Sequence, residues 1–233
     1  MEVNDIDLRY KSSVCISGLS SAGKTTHSHL ACGEFGLTYV SAAQIHLNFL
    51  GVSPVQSRDF WISAEAKGLW NERDFGRIDR ELLRLEAIAE GNIFDTSTMP
   101  WRHKRPALCI WLESSLESRI LKAIVSHRGN DRFSHTEYRQ KLIDKDAATT
   151  DLCKRLYGID IGTDFSCFDL ILDISELITR PTLDASLMSI RAAHSLIRPA
   201  VGWHLTRKKG FEMEFRQMAR QFGHLIKVNN LFE

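Results

Sequence analysis

The sequence lacks several features that mark particular protein classes. Its 30 lysines and arginines nearly balance its 29 aspartates and glutamates, so the formal net charge is +1 and no global basic field for nucleic acid exists. The five cysteines form no C-x-x-C pair, which favours buried reduced thiols. No signal-peptide pattern, membrane-length apolar run, repeat or low-complexity segment is visible. We therefore expect a globular cytoplasmic protein that binds neither nucleic acid nor a membrane.

Short apolar runs alternate with helix-like segments along the chain. The runs predict five strands, at 13–17, 37–40, 92–95, 107–112 and 168–174. Helical periodicity connects them, and Ser114 with Glu117 and Ser134 with Glu137 have the spacing of capping boxes. This alternation predicts an α/β fold with a doubly wound, mainly parallel five-stranded sheet and helices on both faces.

The first predicted strand runs directly into a glycine-rich loop. Gly18-Leu19-Ser20-Ser21-Ala22-Gly23-Lys24-Thr25 fits the pattern G-x-x-x-x-G-K-[ST] without exception. Glycines at these positions allow a tight turn in which successive backbone N–H groups point at one phosphate, and the helix that follows favours an anion at its N-terminus. The loop therefore predicts an ATP-binding phosphate loop of a P-loop kinase fold.

Each residue of this loop receives a predicted role from the chemistry of such loops. Lys24 is expected to reach the β- and γ-phosphates, and the Thr25 hydroxyl is expected to bind Mg²⁺. The predicted nucleotide-binding residues are Gly18, Ser20, Ser21, Ala22, Gly23, Lys24, Thr25 and Thr26. A GTPase would also need an N-K-x-D segment, which the sequence does not contain.

Asp95 ends the third predicted strand, where doubly wound sheets place their ligand groups. We expect it to act as a Mg²⁺ anchor together with Thr25, or as a general base toward an acceptor hydroxyl. The alternative is an N-cap of the following turn. Ser97 and Thr98 beside it either orient an acceptor or serve as caps.

Two further segments stand apart from the alternating pattern. Residues 51–75 mix Phe60, Trp61 and Trp70 with charges, and we expect an insertion whose aromatic rings stack on an acceptor or form a small satellite core. The tail at 207–233 carries an apolar helical stripe comprising Phe211, Phe215, Met218, Phe222, Leu225 and Ile226. The stripe either docks on its own domain, which we assign to residues 1–206, or supports a homo-oligomer.

From the phosphate loop onward, the chain resembles the archaeal-type cytidylate kinases over about residues 13–197. The most specific segments are Tyr157-Gly158-Ile159-Asp160 and the run from Phe168 to Ser175, which are similar to Y-G-I-D and D-L-V-I-[ND]-T-S motifs of that family. The segment Phe35 to Ala42 is similar to the second strand and turn of the family. The resemblance implies a nucleoside monophosphate kinase fold with Mg-ATP as phosphoryl donor.

The resemblance also implies a short lid at about 127–156 and arginines that hold the acceptor phosphate. This lid is flanked by Arg128, Arg132 and Lys145. We predict that these three residues are catalytic, together with Lys24 and Asp95. For each of the three flanking residues, a solvated surface charge is the alternative. The family arginines expected near Leu47, Ser97, His127, Lys145 and Leu152 are absent from those positions. In the family, an acid at the position of Asp79 can reach the acceptor base, although a solvated helix face is the simpler interpretation.

These observations predict a phosphotransferase that moves the γ-phosphoryl group of Mg-ATP to a small acceptor. The acceptor is CMP or dCMP if the resemblance extends to the substrate. Two alternatives stay open: a kinase of a neutral hydroxyl compound such as a nucleoside, and a non-catalytic nucleotide-binding regulator. Because a dianionic acceptor needs charge-assisted partners, the missing arginines predict that CMP is a poor substrate.

Overall fold

The structure is a computed structural model that describes residues 12–52, 71–127 and 133–232. Several predictions fall outside these ranges. The aromatic cluster of Phe60, Trp61 and Trp70 lies there, as do the predicted catalytic residues Arg128 and Arg132. Their roles stay predictions.

The described chain alternates strands with helices, as the sequence predicts. The strands are β1 Ser13–Ser17, β2 Thr38–Ser41, β3 Asn92–Asp95, β4 Ala107–Glu113, β5 Leu170–Asp173 and β6 Ile226–Asn229. The helices are α1 Lys24–Phe35, α2 Ala42–Leu50, α3 Glu72–Ile88, α4 Met99–Arg102, α5 Leu116–Ser126, α6 His135–Tyr157, α7 Leu183–Thr206 and α8 Lys209–Phe222. A 3₁₀ turn at Gly223–Leu225 joins α8 to β6.

Within the described ranges, the strands form one sheet in the order β2-β3-β1-β4-β5-β6. The first five strands are parallel, and β6 pairs antiparallel with β5. The predicted mainly parallel α/β fold is therefore confirmed, but the sheet has six strands in place of the predicted five. The sixth comes from the tail, where the helical stripe was extended through Ile226; in the structure this segment satisfies the open backbone edge of β5.

Helix boundaries follow local capping chemistry. The capping box of Ser134 and Glu137 is confirmed at the start of α6. The predicted cap at Ser114 is wrong by one residue, because Ser115 accepts the backbone N–H of Ser118 at the start of α5. Helix α3 begins at Glu72, since the Asn71 side chain caps it by accepting from Asp74 N.

Alternate residues of the central strands pack into layers on opposite faces of the sheet, as the period of two requires. Val14 and Ile16 of β1 face the layer built by α1, α7 and α8. Cys15 of β1 and Trp111 of β4 face the layer built by α3 and α6. This arrangement leaves the carboxyl ends of β1, β3 and β4 at one edge, beside the loop that follows β1.

The apolar stripe of the tail docks on the chain itself. Phe215 and Leu225 are buried in the same core cluster as β1 and α7, and Phe211 lies so close to α7 that a Cβ added at Gly202 would come within 2.6 Å of its ring. Arg198 of α7 also donates to Glu214 of α8 at 2.5 Å. The described contacts therefore account for the stripe within one chain, and oligomer formation stays a prediction.

Candidate active site

The register of the central strands brings the phosphate loop and Asp95 together. Ile16 of β1 is opposite Asp95 of β3, and Ser41 of β2 is opposite Asp95 on the other side. The Ser17 hydroxyl donates to the carbonyl of Thr96 at 2.5 Å. The loop after β1 and the end of β3 thus form adjacent walls of one site.

The phosphate loop has the backbone geometry that its glycines predict. Gly18 has φ of 152° and Gly23 has φ of 109°, a region that side-chain-bearing residues rarely adopt. A Cβ at Gly18 would lie 2.7 Å from the carbonyl oxygen of Leu112, so any larger residue there would push the loop from β4. Helix α1 starts at Lys24, directly after Gly23. The N–H groups of its first turn therefore lie beside the loop.

The Lys24 side chain turns back toward the start of the phosphate loop. Its Nζ donates to the carbonyl oxygens of Gly18 at 2.8 Å and Leu19 at 2.9 Å. Burial lowers the pKa of Lys24, and the carboxylates of Asp95 and Asp146 act against that shift. The ammonium is therefore held where a phosphate chain wrapped by the loop would meet it.

Asp95 binds two hydroxyl groups through one oxygen. The Thr25 hydroxyl donates to Asp95 Oδ2 at 2.6 Å, and the Tyr39 hydroxyl donates to the same atom at 2.8 Å. Burial and the charge of Asp95 raise the pKa of Tyr39, so Tyr39 remains a hydrogen-bond donor at neutral pH. Tyr39 lies inside β2, and it was not predicted as a site residue.

The donor set of Thr25 and Asp95 fits a magnesium ion. Both supply hard oxygen atoms, and they lie within hydrogen-bond distance of each other. Mg²⁺ is commonly held by one or two protein oxygens together with phosphate oxygens and water. No cluster of three or more His, Cys, Asp or Glu ligands occurs in residues 12–52, 71–127 and 133–232.

A cleft of about 220 Å³ extends from the loop toward α3 and α6. Its charged lining residues in the described chain are Lys24, Asp79, Asp95, Lys145 and Asp146. Ser97 and Thr98 after β3 also line it. No arginine is among the described lining residues.

Asp79 forms a buried polar wall at the α3 side of this cleft. Its side chain is 3% exposed, and it accepts a hydrogen bond from the Thr98 hydroxyl at 2.8 Å. Arg102 lies 3.6 Å from Asp79 Oδ2 and stacks over the ring of Tyr157. Burial raises the pKa of Asp79. The interpretation of Asp79 as a solvated helix face is therefore wrong, because the α3 periodicity turns this position inward beside Ile78.

A second polar cluster links helices α5 and α6 to the loop. Arg119 is 5% exposed and donates to the carbonyl oxygens of Ser20 at 3.1 Å and Ser114 at 3.2 Å. It also donates to Asp146 Oδ2, and Asp146 Oδ1 accepts the backbone N–H of Ser20 at 3.0 Å. Neither Arg119 nor Asp146 was predicted from the sequence. An arginine within the apolar stripe of α5 was the signal.

On the other side of the loop, a recess is lined by Thr26, His27, Lys122 and Ser189. Lys122 Nζ donates to the Ser114 hydroxyl at 3.0 Å, and burial lowers its pKa to about 7. Burial also lowers the pKa of His27 to about 3. The predicted nucleotide-binding residue Thr26 thus lines this recess, while Thr25 lines both the recess and the cleft.

The other positions considered in the sequence lie on the cleft wall, in the core or on the surface. Lys145 is half-buried on the cleft wall, and burial lowers its pKa to about 8. Leu47, at a position where the family has an arginine, is 1% exposed in the core. Arg155, also on α6, is exposed and pairs with Glu72 and Asp151 on the surface.

The geometry defines a class of protein. A complete phosphate loop joins β1 to α1 of a mainly parallel sheet, and an acidic residue from the neighbouring β3 contacts its terminal threonine. Together with the relatives described next, this arrangement confirms the prediction that the chain is a P-loop kinase, an enzyme of the phosphotransferase class.

Curated proteins similar to this chain are archaeal cytidylate kinases, so the predicted resemblance is confirmed. The cytidylate kinase of Pyrococcus horikoshii is 29% identical over 70% of this chain and 80% of its own length. That of Sulfurisphaera tokodaii is 26% identical over 70% of this chain and 87% of its own. That of Sulfolobus acidocaldarius is 26% identical over 79% of this chain and 98% of its own. No protein-family model matches the chain.

Solved structures show a more distant likeness. A shikimate kinase from Bacteroides thetaiotaomicron is 13% identical with a TM-score of 0.44, covering 77% of this chain and 95% of its own. Deoxyadenosine kinase from M. mycoides is 11% identical with a TM-score of 0.40, covering 79% of this chain and 99% of its own.

In the described ranges, no helix has both the length and the apolar character needed to cross a membrane.

Proposed function

We propose that the protein transfers the γ-phosphoryl group of Mg-ATP to a small acceptor bound in the cleft. The observation that carries this proposal is the convergence of Lys24, Thr25 and Asp95 at the loop end of that cleft. Transfer of a phosphoryl group needs little covalent chemistry from the protein, so positioning and charge stabilisation do most of the catalysis. The positions of all three side chains support an assignment to those tasks.

On the donor side, the loop amides and the N-terminus of α1 bind the phosphate chain. Lys24 would contact the β- and γ-phosphates. Backbone N–H groups would bind phosphate oxygens at Ser20, Ser21, Ala22 and Gly23. When bound, Mg²⁺ neutralises phosphate charge, and Thr25 and Asp95 are the residues that would hold it. A cytoplasmic location fits a consumer of ATP.

On the acceptor side, similarity to proteins named cytidylate kinase supports CMP or dCMP as the substrate class. Asp79 is the group that we assign to the acceptor base. It is buried at the cleft wall with Thr98 and Arg102 as neighbours, and a carboxylate held in this way can accept hydrogen bonds from an exocyclic amino group. Asp95 then faces the attacking oxygen, from the opposite end of the cleft.

A second candidate acceptor is a neutral hydroxyl compound, such as a nucleoside. The observation that favours it is the charge of the described cleft lining, where three aspartates outnumber two lysines and arginine is absent. A phosphate dianion needs several charge-assisted donors. A hydroxyl acceptor needs none of them and gains more from Asp95 as a general base.

The test is a screen for phosphorylated products with Mg-ATP and a panel of nucleosides and nucleoside monophosphates. We expect ATP consumption to rise with at least one acceptor and the phosphorylated acceptor to appear in equal amount. ATP binding without any acceptor-dependent turnover across the panel would instead support the non-catalytic regulator.

A further inference from the structure

Helix α6, which belongs to the predicted lid and is called the lid helix below, has a carboxylate that contacts the phosphate loop. Asp146, near the middle of α6, reaches across the cleft, and its Oδ1 accepts the backbone N–H of Ser20 at 3.0 Å. Only 14% of its side chain is exposed. An aspartate thus binds a backbone donor of the loop whose sequence is specialised for phosphate.

The second oxygen of Asp146 binds the most buried cation near the loop. Arg119 donates from Nη1 to Asp146 Oδ2, and the Arg119 side chain is 6% exposed. The same Nη1 lies 3.1 Å from the carbonyl oxygen of Ser20. The Asp146 carboxylate therefore holds one backbone amide and one guanidinium, the donor pair that suits a phosphoryl group.

We propose that Asp146 and the outermost phosphoryl group of a bound polyphosphate compete for the same donors, the Ser20 N–H and the Arg119 guanidinium. Asp146 is then a displaceable latch between the lid helix and the loop, and Arg119 is a phosphate-binding residue. This inference rests on the proposed function only in taking the loop as a polyphosphate site.

The charges of the Asp146 carboxylate and the terminal phosphoryl group determine which of them binds the Ser20 N–H and the Arg119 guanidinium. A carboxylate carries one negative charge and a terminal phosphoryl group carries more, so the polyphosphate wins when it is present and repels Asp146 from the loop. Because Asp146 belongs to α6, its release frees the lid helix from the loop. Lys145, its neighbour on α6, lines the same cleft.

The test is calorimetric titration of the protein with inorganic tripolyphosphate in the presence of Mg²⁺. Asp146→Asn should bind the probe about tenfold more tightly than the native protein, because the competing charged hydrogen bonds are weakened. The matched control is Asp151→Asn, which removes the same charge from an exposed position on the same helix and should leave the affinity within about twofold. Asp146→Ser serves as a second variant if the first fails to fold.

A further variant separates competition from simple support of the fold. Arg119→Gln should weaken tripolyphosphate binding about tenfold, and the gain from Asp146→Asn should disappear in the Arg119→Gln background. Tighter binding by Asp146→Asn that depends on Arg119 supports the latch. Unchanged or weaker binding by folded Asp146→Asn and Asp146→Ser would overturn it.

The same titration keeps this inference distinct from the proposed function. Tripolyphosphate has no base and needs no acceptor, so its binding reports the loop, Asp146 and Arg119 alone. If no acceptor is phosphorylated in the product screen, the proposed function fails while the variant comparison still decides the latch. If the native protein and both Asp146 variants bind no tripolyphosphate, the latch is overturned together with the loop assignment.

Discussion

The two ends of the cleft differ in how they are built. The donor end is one continuous segment, Gly18 to Thr25, in which backbone groups and two side chains supply the contacts. The acceptor end is assembled from residues of α3, β3, α4 and α6 that are far apart in the chain. The donor end retains every element of its motif, whereas the acceptor end lacks the arginines expected at Leu47 and Ser97. The comparison predicts that nucleotide binding and acceptor choice can change independently on this fold.

The largest effect expected is at Lys24. Lys24→Ala removes the cation that the loop holds within 3 Å of two of its carbonyl oxygens, so acceptor-dependent ATP turnover should fall about a thousandfold. The melting temperature should change little, since the side chain faces the loop and not the core. Lys154→Ala, an exposed lysine on α6, is the control in the same turnover assay, and a Lys24→Ala enzyme as active as this control would refute the donor-side assignment.

Asp95 joins the two ends, and Asp95→Asn should lower turnover by about a hundredfold. Asparagine keeps an oxygen that can accept from Thr25 and Tyr39, so the fold should persist while the negative charge is lost. Rates measured over a range of Mg²⁺ concentrations separate the two roles proposed for Asp95: partial recovery at high Mg²⁺ indicates metal anchoring, and no recovery indicates a base. Turnover equal to that of the native enzyme would reduce Asp95 to a cap.

An arginine restored at the acceptor end should sharpen the contrast. Ser97 lines the cleft and is partly exposed, so Ser97→Arg can extend into it, whereas the buried Leu47 has no room for a charge. The KM for CMP should fall about tenfold, as expected for one added charge-assisted hydrogen bond. The KM for cytidine serves as the internal control and should not fall. Equal changes for both acceptors would mean that the arginine acts on something other than the acceptor phosphate.

The smallest effect expected is a pH dependence from Lys145. Its pKa is lowered to about 8 by burial, so the side chain is charged below that pH and loses its charge as the pH rises. If the charge supports transfer, kcat should decline about fivefold above pH 8, a modest effect because solvent screens a half-buried charge. In Lys145→Arg the guanidinium stays charged, and the decline should vanish. A decline that persists unchanged in Lys145→Arg would assign the titration to another group.

The loop geometry at the donor end could be predicted from the sequence because the information for it is local. Lys24, Thr25 and the loop glycines follow a fixed spacing, and the flanking strand and helix confirm the context that the spacing requires. Asp95 was found for a related reason, since the end of a parallel strand indicates which edge of the sheet it reaches. The five parallel strands likewise followed from short apolar runs that local patterning makes visible.

The remaining features depend on contacts between distant segments. The α3 periodicity turns Asp79 inward, but its contacts with Thr98 and Arg102 form only after α3 packs on the sheet, so the sequence does not show them. Asp146 reaches Ser20 across 126 positions of sequence, and no spacing rule connects them. The β6 strand was assigned to a helix because its residues continue the apolar stripe of α8, while pairing with β5 is a tertiary preference that overrides the local pattern.

The most direct measurement is the steady-state KM for CMP at saturating Mg-ATP, compared with dCMP, UMP and the matching nucleosides. A complete donor end facing an acceptor end that has no arginine at positions 47 and 97 predicts a KM for CMP near the upper end of the usual range, about 1 mM, and at least one nucleoside used more efficiently. A KM for CMP of only a few micromolar, roughly the lower limit of that range, with fast turnover would contradict it.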